Sequence, residues 1–88
     1  MHYVYILKCA DTSLYIGYTI DVAKRLTSHN TGNRGAKYTK ARRPVVLVYK
    51  KGFRTLSKAL KREYEMKQWT RTEKLAFLAS EKRKNADT

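Results

Sequence analysis

Two β-favouring runs stand at the N-terminus, residues 2–9 and 14–19, separated only by the short polar turn Ala10-Asp11-Thr12-Ser13. A connection that short joins antiparallel strands, so the chain begins with a β-hairpin. In the first run Tyr3, Tyr5, Leu7 and Cys9 point one way, and Val4 and Ile6 point the other. The second run, Leu14 to Thr19, carries Gly17 in its interior, which signals a bulge or the close approach of another group.

Downstream, Asp21 is an N-cap for a helix reaching about Asn30, with Val22, Ala23 and Leu26 as its inner stripe. Residues 31–43 form a basic, glycine-containing loop. Pro44 introduces a third strand, Val45 to Lys51, apolar enough to be central or well covered, and Gly52 ends it. A long helix runs from a Thr55 cap to about Lys67, and a shorter one from a Thr70 cap to about Ala79. The order β-β-α-β-α-α predicts a three-stranded sheet flanked by helices, in the α/β (α+β) class. Residues 2–79 read as one domain, and residues 80–88 as a charged tail that frays.

A chain of 88 residues allows one domain and excludes a paired-domain or barrel enzyme. The single Cys9 excludes a disulfide framework and a cysteine-based zinc site. No apolar run approaches the ~18 residues of a membrane span. The start, Met1 to Lys8, lacks a basic leader region and a small-residue cleavage site, so the expectation is a soluble cytoplasmic protein. Twenty Lys+Arg against seven Asp+Glu leave a net charge of +13, which calls for an anionic partner. Nucleic acid leads, because each cation placed at a phosphate releases counterions. A membrane surface would want the charge concentrated in one helix or tail, whereas here it is spread along the chain.

Three features bear on chemistry. The hairpin presents Tyr3-Val4-Tyr5 and Tyr15-Ile16-Gly17, whose tyrosines suit either cross-strand packing or stacking on bases. Arg25 and His29, four apart, share one face of the first helix; together they suit phosphate clamping and proton transfer, or simply a solvated basic face. On the long helix Glu63 falls within the apolar stripe of Leu56, Ala59, Leu60 and Met66. Glu65 lies about 200° away, on the polar side. An inward carboxylate needs a cation: a lysine or arginine in a structural ion pair, or a hard metal such as Mg²⁺ or Mn²⁺.

These residues, in this order, resemble the GIY-YIG nuclease domain in its small stand-alone bacterial form. The resemblance rests on Tyr3-Val4-Tyr5, on Tyr15-Ile16-Gly17-Tyr18-Thr19, on the run Asp21 to Asn30 and on Ala59 to Lys67, and it covers residues 2–79. It implies a compact domain with a three-stranded antiparallel sheet, hydrolysing DNA phosphodiester bonds with one Mg²⁺ or Mn²⁺ ion. Tyr5 and Tyr15 match the tyrosines that orient or deprotonate the attacking water. Arg25 matches the phosphate-stabilising arginine, His29 an active-site position, and Glu63 the metal ligand. The chain departs from the pattern at Tyr3, where the first triplet's glycine stands, at Tyr18, where some relatives have lysine, and in lacking an Asn between Glu63 and Asn85.

Arg34, Lys37, Tyr38, Lys40, Arg42 and Arg43 in the basic loop suit nucleic-acid binding. Trp69 reads as helix-junction packing. The leading expectation is a metal-dependent DNA endonuclease, active as a monomer on branched or damaged DNA in repair or recombination. Substrate choice then comes from the domain or from a partner protein. The alternatives are a non-catalytic nucleic-acid-binding module of the same fold and an RNA-associated basic protein. An inward Glu63 favours the enzyme, since a binder gains nothing from an acid near phosphate.

Overall fold

The computed structural model describes residues 1–31 and 37–86. Strands β1 (His2–Lys8) and β2 (Leu14–Thr19) form the expected hairpin, followed by helix α1 (Val22–Thr31), the single turn α2 (Lys37–Lys40), strand β3 (Val46–Phe53) and helices α3 (Leu56–Lys67) and α4 (Arg71–Ala86). The sheet is antiparallel with strand order β2-β1-β3.

β1 is therefore the central strand, and its alternation is used on both faces. Val4 and Ile6 join Ile16, Ala59 and Met66 in a core under α3, with Trp69, Phe77 and Leu78 packed against it. Tyr5, Leu7 and Cys9 join Val45 on the other face, with Tyr15, Leu26 and Leu47 beside them. The two faces of one strand thus seat two separate cores, and helices cover both.

The caps read from sequence are in place. Asp21 Oδ1 accepts from the Lys24 amide at 3.0 Å, and Thr55 Oγ1 accepts from the Lys58 amide at 3.2 Å. Thr70 and Glu73 form a reciprocal capping box, with amide-to-side-chain distances of 3.2 and 3.0 Å. Trp69 packs at the α3–α4 junction, its ring 5.1 Å from Phe77 and 5.0 Å from the Arg62 guanidinium.

Several expectations need correction. β3 is an edge strand rather than a central or well-covered one: Val46 and Val48 are 54% and 40% exposed. Its apolar run is partly consumed by a bulge opposite Ile6 and Leu7, and Lys50 and Lys51 guard the open edge. Nor does Gly52 end the strand; it pairs with Tyr3, whose ring lies over it, and pairing continues to Phe53. α4 passes Ala79 and reaches Ala86, because Glu81, Lys82, Arg83 and Lys84 are good helix formers and the basic residues suit a C-terminal turn. Leu56 and Leu60, placed on the inner stripe of α3, are 45% and 42% exposed, whereas Ala59 and Met66 are fully buried. Ala23 on α1 is exposed, and the deepest residue of that helix is His29. The basic loop contains the α2 turn.

Replacing Ile6 by Ala is expected to cost about 2–5 kcal/mol in urea unfolding, since the site is walled by β2 and α3 and cannot collapse freely. Val46→Thr on the open edge is expected to stay within about 0.5 kcal/mol.

Candidate active site

Tyr5 and Gly17 are direct partners in the β1–β2 ladder, so they share a face. A Cβ at residue 17 would fall on the Tyr5 hydroxyl and Cζ. Glycine is there because the Tyr5 ring lies across it, the close approach that the sequence signals; its φ is not positive. Crossing β2 in this way brings the Tyr5 hydroxyl to α1. It lies 2.9 Å from His29 Nε2 and receives a hydrogen bond from Arg25. His29 Nδ1 lies 2.7 Å from Thr39 Oγ1 of α2. The result is a buried polar chain, Arg25–Tyr5–His29–Thr39, with Tyr5 2% exposed and His29 and Thr39 fully buried.

Tyr15, half-buried, closes the chain toward the surface. Its ring is 5.1 Å from His29, edge-on, and 6.4 Å from Tyr5. Arg25 is half-buried and also lines a cleft of about 330 Å³ with Thr19, Ile20, Asp21, Lys24 and Ser28. Arg25 thus belongs both to the buried chain and to the lining of a surface cleft. A larger groove between β3 and α4, bordered by Leu14, Val48, Leu75 and Leu78, contains none of these residues.

Burial pushes the Tyr5 phenol above its ordinary pKa. The Arg25 hydrogen bond and charge oppose the shift, and the charges of Tyr15 and Glu63 add to it. His29 is held down at about 4, first by burial and then by the positive charges of Arg25 and Arg43. Near neutral pH the site holds a neutral imidazole against a protonated phenol.

Glu63 sits on the flank of α3 between Ala59 and Met66, with a side chain 18% exposed. It is close enough to Tyr5 for its charge to act on the phenol. Lys67 Nζ lies 3.4 Å from Glu63 Oε2, so the partly buried carboxylate is paired with an ammonium that is half in solvent. Among the described residues no group of three His, Cys, Asp or Glu side chains could hold a metal. One carboxylate fits a hard ion that keeps most of its waters, Mg²⁺ or Mn²⁺, and does not fit zinc.

The basic-loop residues divide. Arg34 and the side chain of Lys37 lie outside the described residues. Lys40 is exposed. Tyr38 stacks on Tyr15 at 6.0 Å and carries the Arg42 guanidinium over its ring at 4.0 Å. Arg42 also donates to Asp11 Oδ2 at 3.0 Å and to the Tyr38 carbonyl at 2.9 Å, tying α2 to the hairpin turn. Arg43 donates to the carbonyls of His29, at 2.6 Å, and Ser28, at 3.4 Å, at the end of α1. Arg42 and Arg43 thus serve the fold of the site. Thr39 gave no signal in the sequence, being one polar residue in a basic loop.

Two outcomes follow from this geometry. In the unfolded chain His29 titrates near 6.5, above its folded value of about 4, so the unfolded state takes the proton first. The stability owed to a neutral His29 is complete above about pH 6.5 and is lost as pH falls toward 4, by up to about 3 kcal/mol. Urea unfolding across that window is expected to show the slope in wild type and to lose it in His29→Gln. Gly17→Ala is expected to displace the Tyr5 ring, cost about 1–3 kcal/mol, and raise the His29 pKa in an NMR titration. A His29 that still titrates as in wild type would mean that the ring and its hydrogen bond survive the added methyl.

The family model described as the GIY-YIG catalytic domain matches residues 1–76. A UPF0213 protein of Staphylococcus haemolyticus is 57% identical over 77 residues, covering 88% of this chain and 93% of that one. Another, from Staphylococcus saprophyticus, is 58% identical over 78 residues, covering 89% and 94%. The solution NMR structure of a UPF0213 protein from Bacillus halodurans superposes with a TM-score of 0.59 at 44% identity, covering 89% of this chain and 82% of its own. That of an E. faecalis protein gives 0.62 at 43% identity, covering 90% and 83%. With its hairpin triplets, its Arg25–Tyr5–His29 chain and a family match over nearly its whole length, the chain belongs to the GIY-YIG catalytic domain family.

Proposed function

We propose that the protein is a divalent-metal-dependent endonuclease that hydrolyses DNA phosphodiester bonds. The observation that carries the reading is the convergence of Arg25, Tyr5 and His29 from α1 and β1, with the Glu63 charge acting on the same phenol. A net charge of +13 supplies the attraction for a phosphate backbone.

Arg25 is the phosphate clamp. Its guanidinium can donate to two phosphate oxygens, and its bond to Tyr5 sets a phosphodiester held there beside the phenol. A Mg²⁺ or Mn²⁺ ion held by Glu63 supplies Lewis-acid stabilisation of phosphate charge and a water of lowered pKa. Tyr5 works as a relay: its oxygen takes a proton from the attacking water while its own proton passes to His29 Nε2, 2.9 Å away. An anionic phosphate at Arg25 offsets part of the field that holds His29 neutral, so the imidazole becomes a better proton acceptor once substrate is in place. Tyr15, nearer the surface, orients the water and shields the imidazole. Branched or damaged DNA is the substrate class, cut in the cytoplasm during repair or recombination, with a partner protein supplying specificity that the small domain does not carry.

The test is cleavage of a labelled panel of single-stranded, duplex, flap and four-way-junction DNA with Mg²⁺ or Mn²⁺. Wild type is expected to cut, and Glu63→Gln to lose about 10²-fold or more in rate. DNA affinity in Glu63→Gln is expected to hold or tighten, because a negative charge near phosphate is gone. Equal loss of cutting and binding would remove Glu63 from the metal role. Salt-sensitive binding with no cutting by wild type would favour the non-catalytic binding module.

A further inference from the structure

We infer that Thr39 is a positioning residue for His29: its hydroxyl oxygen accepts from Nδ1–H and so keeps Nε2 as the acceptor of the Tyr5 proton. The catalytic consequence rests on the nuclease reading above; the tautomer rests on hydrogen-bond geometry alone.

A neutral imidazole has one N–H and one bare nitrogen, and both His29 nitrogens face a hydroxyl, Tyr5 at 2.9 Å and Thr39 at 2.7 Å. Which nitrogen carries the proton follows from Tyr5. Arg25 can only donate, so the Tyr5 oxygen is the acceptor in that bond. The phenol is 2% exposed, and its own hydrogen needs an acceptor. Nε2 lies at hydrogen-bond distance from it. Nε2 is therefore the bare nitrogen, the proton sits on Nδ1, and Nδ1–H points at the Thr39 oxygen. In the opposite tautomer Nε2–H and the Arg25 guanidinium would both donate to the Tyr5 oxygen, and the phenol hydrogen would lose Nε2 as its acceptor.

The direction also suits the relay. When the Tyr5 proton moves to Nε2, His29 becomes a donor at both nitrogens, and the Nδ1–H bond to Thr39 stays as it was. Thr39 accepts before and after, so the step needs no turn of ring or hydroxyl. The threonine is fixed for this task. Its carbonyl accepts from the Arg42 amide at 2.9 Å, and the Arg42 side chain is bonded to Asp11 in the β1–β2 turn. α2 thereby holds an acceptor against the far side of an imidazole that α1 and β1 hold from the near side.

The tautomer can be read in the wild-type protein at neutral pH by long-range ¹H–¹⁵N NMR of the His29 ring. Nδ1 is expected protonated and Nε2 bare; a wild-type spectrum with the proton on Nε2 overturns the inference without any variant. Thr39→Val keeps the volume and removes the acceptor. It is expected to shift the ring to the other tautomer or a mixture, and to lower kcat on the preferred DNA at least about 10-fold with KM little changed. Thr39→Ser is expected to restore both readings. A valine variant with the wild-type tautomer and rate, or a serine variant as poor as valine, assigns Thr39 to packing only. The spectrum needs no DNA, so a wild-type protein that cuts nothing sinks the nuclease reading while the Thr39 assignment still stands or falls on the ring nitrogens.

Discussion

The site depends on one strand being buried on both faces. β1 sits between β2 and β3, with Val4 and Ile6 under α3 and Tyr5, Leu7 and Cys9 on the opposite side. A strand in that position cannot slip by one residue without exchanging the two cores. Its register, and with it the crossing of Tyr5 over Gly17, is fixed by apolar packing that has no chemical role. The tyrosine is as much a core residue as a site residue, and its hydroxyl is a polar atom that this core delivers to α1.

The electrostatics follow from the burial. In a chain of +13 charge the centre of the site is neutral: a phenol and an imidazole, each held uncharged first by loss of water. The charged groups, Arg25 and Glu63, stand at its margins with part of their surface in solvent. Such a division leaves the phenol–imidazole pair short of solvent, where its hydrogen bond is strengthened by the low local dielectric. The two charged side chains keep contact with water, which offsets the cost of their charge.

Much of this was legible in the chain because local signals agreed with the global arrangement. The hairpin, the Asp21, Thr55 and Thr70 caps and the element order follow from periodicity and turn chemistry. Gly17 advertised a close neighbour, and Glu63 advertised itself by interrupting an apolar stripe. What stayed hidden was set by distant partners. Whether β3 lies at the centre or the edge depends on which strand β1 prefers on its second side, and an apolar run does not say. The extent of α4 is masked because a run of charges after Ala79 reads as a fraying tail, although the same residues favour helix. Thr39, Arg42 and Arg43 read as undifferentiated basic loop because their partners, His29 and Asp11, lie far away in sequence.

Arg43 has a consequence of its own for the imidazole. A histidine in the last turn of a helix ordinarily sits in the negative end of the backbone dipole, which favours its cationic form. His29 occupies such a position in α1, yet its own carbonyl and that of Ser28 are taken up by the Arg43 guanidinium. A positive charge is thereby placed on the carbonyls whose partial negative charge favours an imidazolium. The Arg43 charge opposes the field that the helix end imposes on its own histidine, and it adds to burial and Arg25 in lowering the imidazole pKa. Arg43 thus acts on the site as a counter-dipole, adding its charge to the burial that already keeps the imidazole neutral.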